Sequence, residues 1–242
     1  MITLEQLNEI CGDNMYQGRR AAFLEFLQDH GGSLNQPHRL ALILCQVLHE
    51  CKGFRYVKEV WGPTAAQRRY EGRRDLGNVQ KGDGKRFMGR LEIQVTGRHN
   101  YRALTEWCAR VGISAPNFED NPQELENVKW VGLGTVWYFK TRVENRFMDA
   151  GNIEMVTRRV NGGLNGYEDR LRYYDRAALV ILGRASVRDF QGSAGIAVDG
   201  VSGPQTREAM HKALYVLKPQ PHQPVSFWGE LFTAFAGILR GK

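Results

Sequence analysis

An apolar stretch from Pro37 to Cys51 constrains the fold more than any other part of the sequence. Aliphatic residues recur in it at intervals of three and four, which predicts a helix buried on most of its surface. These residues are Leu40, Ile43, Leu44, Val47 and Leu48. Gly53 is the predicted stop signal, so the polar pair His49-Glu50 falls on the last turn of a buried helix.

Helical patterns account for most of the remaining chain. They cover residues 3–30, 101–111, 125–143, 153–160 and 167–183. Thr3 followed by Gln6 has the form of a capping box. The stretch from Gly53 to Tyr101 differs, because Gly-containing turns alternate with two short extended segments near 55–60 and 91–96. We therefore predict a mainly α fold with a small β-arm formed by these segments.

The composition restricts the classes of possible binding partner without identifying one. The 242 residues have 42% hydrophobic content, as in an ordinary soluble domain, and a formal net charge of +7. This charge favours an anionic partner, which could be a nucleic acid, a membrane surface or an acidic cell-wall polymer. The four cysteines have no zinc-ligand spacing, and the N-terminus has no apolar core of a signal peptide.

Glu50 and Glu59 are candidates for a pair of catalytic carboxyls. Glycosidic cleavage needs one carboxyl that donates a proton and a second that activates water. Nine positions apart on one continuous helix they would face opposite ways, but a break at Gly53 allows Glu59 to fold back toward Glu50. Two Glu residues at this spacing are more often solvated surface acids. On an extended arm, Gln94 and Thr96 would share a face that could hold a water and sugar hydroxyls.

Several motifs together resemble glycoside hydrolase family 19, and in particular the chitinase-like endolysins that bacteriophages use against peptidoglycan. The resemblance covers roughly residues 1–184. The matching residues are His49-Glu50, Glu59, Tyr70, Arg73-Arg74, Leu76-Gly77-Asn78, Gly82-Asp83-Gly84, Gly89-Arg90, Ile93-Gln94, Thr96-Gly97-Arg98, Asn100-Tyr101, Asn161-Gly162-Gly163-Leu164-Asn165-Gly166 and Asp169-Arg170. They occur in the family's order.

The resemblance implies a lysozyme-like, two-lobed α-helical domain with the β-arm at its cleft. It implies Glu50 as general acid, Glu59 as general base and Thr96 as the hydroxyl that helps to hold the attacking water. Implied substrate-binding positions are Gln94, Asn100, Tyr101, Asn161 and Arg170, and Trp61 is a further candidate as a sugar-stacking platform. The family inverts the anomeric carbon, which calls for carboxyls about 6.5–9.5 Å apart. It needs no metal and no cofactor.

Glu92 is a third acid close to the predicted arm. It could be a surface residue, an ion-pair partner or a competitor for the role of base. We place it behind Glu59, because the family has no catalytic acid at that position.

The residues after 184 form two further segments. Residues 185–217 resemble the core of peptidoglycan-binding modules, with Asp199-Gly200 at a turn and Pro204 at a helix start. This segment could be a separate binding unit or a helical hairpin docked on the catalytic domain. Residues 218–242 comprise a Pro-containing linker and an amphipathic tail helix. The tail could lie on an anionic membrane or outer-membrane lipid surface, or it could pack against the enzyme.

We therefore predict a monomeric endolysin with a catalytic domain at residues 1–184. Its partner is the peptidoglycan glycan strand, whose β-1,4 bonds it hydrolyses as a muramidase, and it binds no nucleic acid. Without a signal peptide, it would be made in the host cytoplasm and act on the periplasmic cell wall after release. Two alternatives remain: a chitinase that acts on chitin oligomers, and a non-catalytic wall-binding protein on the same fold.

Overall fold

The computed structural model describes residues 1–217, and in this part the chain is mainly helical with no sheet. The α-helices are α1 (Leu4–Cys11), α2 (Gln17–His30), α3 (Pro37–Cys51), α4 (Ala65–Arg68), α5 (Asp83–Arg86), α6 (Arg98–Arg110), α7 (Leu133–Arg142), α8 (Asn145–Asp149), α9 (Ile153–Asn161), α10 (Tyr167–Ile181), α11 (Val187–Ala194) and α12 (Pro204–Val216). Turns of 3₁₀ helix occupy Gly32–Asn35, Arg74–Leu76, Pro122–Glu126 and Val128–Trp130. The predicted mainly α fold is confirmed.

Helix α3 lies at the centre of the fold. Every residue from Pro37 to Leu48 is buried, because α10 packs along it and α7, α8, α9 and α12 contact its other sides. The helix ends at Cys51, and the Gly53 N–H donates to the Leu48 carbonyl at 3.0 Å. Gly53 has a φ of +64°, which a glycine adopts without strain. The predicted helix and its stop are thus confirmed, with Glu50 on the last turn.

The N-terminal capping box is also present. The Gln6 N–H donates to the Thr3 hydroxyl at 3.1 Å, and the Thr3 N–H donates to the Gln6 side chain at 2.9 Å. These reciprocal bonds satisfy donors that α1 leaves unpaired at its start. A local sequence pattern was sufficient to predict them.

The predicted β-arm is wrong in the described residues. Only isolated bridges occur there, between Lys58 and Arg90 and between Arg90 and Val95. Residues 91–94, which lie between the bridged residues Arg90 and Val95, form a tight turn in which Leu91 and Gln94 both have positive φ. The segment turns rather than extends because it carries the buried Glu92 inward, where the Thr135 N–H at the start of α7 binds it at 2.7 Å.

The predicted helix over residues 125–143 begins too early. Two 3₁₀ turns occupy most of residues 122–130, and α7 starts only at Leu133. Gly132, with a φ of +106°, separates the turns from the helix. A Cβ at this position would lie 2.8 Å from the Phe26 Cβ, so α2 packs directly against the glycine backbone. The apolar periodicity therefore continues across a break that packing against α2 imposes.

Residues 185–217 pack on the helical body. Met210 and Leu214 on α12 are fully buried, and α12 contacts both α3 and α10. Arg207 on α12 forms two hydrogen bonds with Asp175 on α10, each at 2.8 Å. In the described residues this segment is thus a docked helical hairpin. The predicted tail helix lies outside the described residues, and no helix among residues 1–217 is long and apolar enough to cross a membrane.

An ion-pair network connects the start of α6 with Asp83 on α5 and with Glu119 in the segment that follows α6. Arg98 binds Asp83 at 3.1 Å and Glu119 at 3.2 Å, and Arg102 binds Glu119 at 2.6 Å. The hydrogen bond from Arg102 lowers the pKa of Glu119 to about 2; partial burial opposes this shift, and Arg98 adds to it. The carboxylate form of Glu119 is therefore favoured in the folded protein.

This network predicts a pH-dependent contribution to stability. Because the folded-state pKa of Glu119 is depressed, its contribution is fully present above about pH 4.5 and is lost as the pH falls toward about 2. We expect Glu119→Gln to lower the free energy of unfolding by about 1–2 kcal/mol at pH 7, after allowance for solvent screening. Urea denaturation at several pH values should show the difference from wild type disappearing near pH 2. A difference that persists there would contradict the assignment.

Candidate active site

Glu50 projects from the last turn of α3, and a buried arginine fixes it. The Glu50 side chain is 25% exposed, whereas that of Arg170 is 1% exposed. Arg170 Nη2 donates to Glu50 Oε1, and its Nη1 donates to Gln46 Oε1 at 2.7 Å. Within the described part of the chain, Glu50 Oε2 has no hydrogen-bond partner. The carboxyl is thus held at one oxygen and open at the other.

The predicted substrate-binding role of Arg170 needs correction. Its guanidinium is buried between α3 and α10, where it can reach protein groups but no bound sugar. The fully buried Gln46 extends the network, because its amide nitrogen donates to Thr157 at 3.0 Å. Arg170 therefore positions Glu50, and Gln46 and Thr157 support Arg170.

Three neutral donors surround Glu59. Gly89 N–H donates to Oε2 at 3.0 Å, and the Gln67 amide and the Tyr70 hydroxyl donate to Oε1 at 3.0 and 3.4 Å. Burial raises the pKa of Tyr70, and the neighbouring Glu59 charge raises it further, so this hydroxyl stays protonated and remains a donor. The three donors leave one of the roughly four lone-pair sites of the Glu59 carboxyl for a water.

Gln67 is a site residue that sequence inspection missed. Its side-chain oxygen accepts from Thr64 N–H at 2.7 Å and Gly62 N–H at 3.1 Å, while its nitrogen donates to Glu59. Thr64 and Gln67 form a capping box for α4. The Thr-x-x-Gln pattern could have predicted the box, but only the fold shows that the same amide reaches Glu59.

Gly89 brings Gln94 and Thr96 to the Glu59 carboxylate. A Cβ on Gly89 would lie 2.3 Å from Gln94 Oε1 and 3.2 Å from Thr96 Oγ1, while the Gly89 N–H binds Glu59. The turn at residues 91–94, rather than an extended arm, delivers both side chains. Thr96 Oγ1 donates to the Gln94 carbonyl at 3.0 Å, which leaves its lone pairs available to an incoming donor.

A Gly89→Ala substitution tests this packing. The added methyl group must displace the Gln94 amide and crowd Thr96, so we expect kcat/KM to fall by about 10–100-fold, as small misplacements in a site can. Hydrolysis of a soluble glycan should be measured beside Gly18→Ala, since nothing lies within 4 Å of a Cβ at Gly18. Equal activity of the two variants would show that the close approach at Gly89 does not matter.

A row of contacts forms one wall of the candidate site. Burial raises the pKa of Tyr138 in this row; Arg142 opposes the shift, and the Glu50 charge adds to it. Arg142 lies over the Tyr138 ring at 5.3 Å and donates to Asn100 Oδ1 at 2.6 Å. Asn100 in turn donates to the Thr96 carbonyl at 2.7 Å. The wall therefore comprises Tyr138, Arg142, Asn100 and Thr96.

Tyr101 does not belong to the exposed part of the site, so its predicted substrate-binding role is wrong. It is fully buried, donates to the Met88 carbonyl at 2.6 Å and accepts from Arg90 at 2.8 Å. Its ring packs against Phe87. Tyr101 fixes the loop that carries Gly89. It faces away from its sequence neighbour Asn100, because successive residues of a helix such as α6 point to different sides.

Glu92 is a structural acid. It is fully buried and accepts from Thr135 N–H and the Thr135 hydroxyl, each at 2.7 Å, and from Gly132 N–H at 3.2 Å. Burial raises its pKa, although these hydrogen bonds work in the opposite direction. A carboxyl that anchors the N-terminus of α7 has no face for a water molecule. This geometry agrees with ranking Glu92 after Glu59 as a candidate for the general base.

Trp61 and Asn161 are two further residues predicted to bind the substrate. The half-buried Trp61 has its ring 6.3 Å from that of Tyr70, next to Glu59. Asn161 ends α9, and its Nδ2 is buried without an acceptor in residues 1–217. His49, which precedes Glu50, shares a hydrogen bond of 2.7 Å with Asp169 and packs on Gly166.

Comparisons with known proteins match this architecture. Residues 184–210 match a family model described as a putative peptidoglycan binding domain. A glycosyl hydrolase family 19 domain-containing protein of Haemophilus influenzae is 35% identical over 116 residues, which make up 48% of this chain and 52% of that protein. The chain thus spans about half the length of this curated relative.

Solved structures show the same fold. Chitinase C from Streptomyces griseus aligns with a TM-score of 0.56 and 20% identity over 76% of this chain and 93% of the chitinase. A bacterial family 19 chitinase aligns with a TM-score of 0.55 and 21% identity over 74% of this chain and 94% of that one. The chain has the fold of family 19 chitinases and carries a peptidoglycan-binding motif, so the predicted resemblance is confirmed.

Proposed function

We propose that this chain, with its family 19 chitinase-like fold, is a glycoside hydrolase that cleaves β-1,4 bonds in the glycan strands of peptidoglycan. The observation that carries the proposal is the unequal setting of the two carboxyls. Glu50 has one anchored and one open oxygen, whereas Glu59 is surrounded by three donors. Carboxyls in contrasting environments are what acid and base roles require.

In the proposed reaction, Glu59 takes a proton from a water held beside Thr96. The water oxygen attacks the anomeric carbon as the bond to the leaving sugar breaks, and Glu50 Oε2 gives its proton to the leaving oxygen. The anomeric carbon is inverted, and solvent then restores both carboxyls. Gln94 and Asn100, close to Thr96 or bonded to it, and Trp61, beside Tyr70, are proposed sugar contacts. Asn161 stays a predicted contact, and its buried Nδ2 has no acceptor among residues 1–217.

Arg170 holds Glu50 Oε1, so the proton that Glu50 donates in this reaction would be carried on the open Oε2. A sugar ring over Glu50 would cover the exposed quarter of its side chain.

Two features support peptidoglycan as the substrate. The motif at residues 184–210 docks on the helix α10 that also carries Arg170, so wall binding and catalysis would share one rigid body. The net charge of +7 suits an acidic wall polymer. We propose an endolysin role in host lysis on the same grounds, with action in the periplasm. A chitinase is the second candidate, because the similar solved structures are described as chitinases.

A turbidity assay tests this function. Outer-membrane-permeabilised Gram-negative cells should lose turbidity with wild-type protein, and chitin oligomers should be cleaved more slowly than wall glycans. Cleavage of chitin oligomers without clearing of cells would favour the chitinase. Tight binding to walls without clearing would favour a non-catalytic wall-binding protein.

A further inference from the structure

An open groove of about 600 Å³ lies beside the candidate active site, lined by Gly72, Arg74, Val79 and His99. Its volume falls within the roughly 300–1,000 Å³ typical of ligand clefts. None of the proposed catalytic or sugar-binding residues lines it. The groove is thus a separate feature whose chemistry can be considered independently.

Two residues that line the groove lie close in sequence to residues of the candidate site. Tyr70, two residues before Gly72, donates to the Glu59 carboxylate at 3.4 Å. His99 directly precedes Asn100, which donates to the Thr96 carbonyl at 2.7 Å. A glycan bound at the candidate site would therefore pass close to the groove.

Hydrogen bonds keep the groove formed. The fully buried Asn78 donates to the Tyr70 carbonyl at 3.0 Å and accepts from Arg98 N–H at 3.0 Å. His99 packs on Gly77, where a Cβ would lie 2.3 Å from the imidazole Cδ2. The loop from Tyr70 to Val79 is thus tied to the start of α6, and the groove is present before any ligand binds.

Charge in the groove is positive and uncompensated. Among residues 1–217, Arg74 has no carboxylate partner, because the adjacent Asp75 pairs with Arg73. The next nearest acid in sequence, Glu71, accepts from Gly82 N–H at 2.6 Å and Gly84 N–H at 2.8 Å. Val79, 65% exposed, adds an apolar surface next to the cation. This combination suits a short ligand with carboxylates and small apolar side chains.

We propose that this groove binds the short, carboxylate-bearing peptide arm of peptidoglycan while the glycan strand occupies the candidate active site at Glu50 and Glu59. The inference rests on the proposed function, since it takes the glycan to be peptidoglycan. Arg74 binds a peptide carboxylate, His99 supplies a second polar contact and Val79 contacts alanine methyl groups. The groove thereby favours peptide-bearing glycan over bare glycan and over chitin.

The test compares Arg74→Gln with Arg110→Gln on three substrates: intact peptidoglycan, glycan strands stripped of peptide by an amidase, and chitin oligomers. Arg110 is a matched control, because it is also exposed and has no carboxylate partner in the described residues. We expect Arg74→Gln to lower kcat/KM on intact peptidoglycan by about five- to tenfold, as an exposed charged hydrogen bond would. Both other substrates should change by less than about twofold. An equal loss on all three substrates, or no loss on any, would overturn the proposal.

Peptide binding provides a readout that does not depend on catalysis. Calorimetry should detect a soluble L-alanyl-D-glutamyl-diaminopimelate tripeptide binding to the full chain, and Arg74→Gln but not Arg110→Gln should weaken it. Failure of wild type to cleave any glycan would refute the proposed function while this binding could still be observed. If the enzyme cleaved peptidoglycan but bound no tripeptide, peptide binding in the groove would be refuted and the proposed function would stand.

Discussion

Glu50→Gln is expected to lower kcat/KM on wall glycans by about 10³-fold, within the range that general acid catalysis supplies. Glutamine can still accept from Arg170 through its amide oxygen, so the position of the side chain and the fold should be retained. It cannot protonate a leaving oxygen. The loss should therefore appear mainly in kcat, with KM little changed.

A leaving-group series identifies the role of Glu50. An aryl glycoside that departs as a stable phenolate needs little protonation, so Glu50→Gln should lose far less activity on it than on a natural glycan. Glu25→Gln serves as control, because Glu25 is an exposed acid on α2. Equal losses on both substrates would show that Glu50 acts in some way other than as the acid.

Glu59→Ala is expected to cause a loss of similar size, about 10³-fold, for a different reason. The variant removes the carboxylate that takes the proton from water, and the Gly89, Gln67 and Tyr70 donors then have no acceptor. A small anionic nucleophile such as azide needs no deprotonation and should fit the space left. We expect azide to restore activity in Glu59→Ala and to give a product of inverted configuration.

The contrast with Glu92 tests the assignment of the base. Glu92→Gln should weaken the anchor of α7 at Thr135 and lower the free energy of unfolding by about 1–3 kcal/mol. Activity per folded molecule should be retained, and azide should have no effect. If azide restored activity to a Glu92 variant but not to Glu59→Ala, Glu92 rather than Glu59 would be the general base.

Local and periodic features of the sequence predicted much of the fold. The buried helix α3, its end near Gly53 and the Thr3–Gln6 capping box depend on short-range patterns, which the sequence carries directly. The position of Glu50 follows from them, because it lies within one turn of that end. Residues that contact their neighbours in sequence are the ones such patterns can place.

Long-range contacts account for the parts that could not be predicted. The turn at residues 91–94 forms because Glu92 reaches the start of α7, about forty positions later. Arg170 is buried because it spans from α10 to Gln46 and Glu50 on α3. A polar residue within a motif can serve the substrate or the scaffold, and only its burial separates the two.

Analysis of the new chain ends in purified peptidoglycan tests the central claim most directly. Digests would be reduced with borohydride and the fragments identified by mass spectrometry. We expect wild type to create new reducing ends on muramic acid, and Glu50→Gln and Glu59→Ala to create almost none at equal concentrations of folded protein. Solubilisation of the wall without new reducing ends, or the same yield of ends from Glu50→Gln as from wild type, would contradict a glycosidic mechanism based on these two carboxyls.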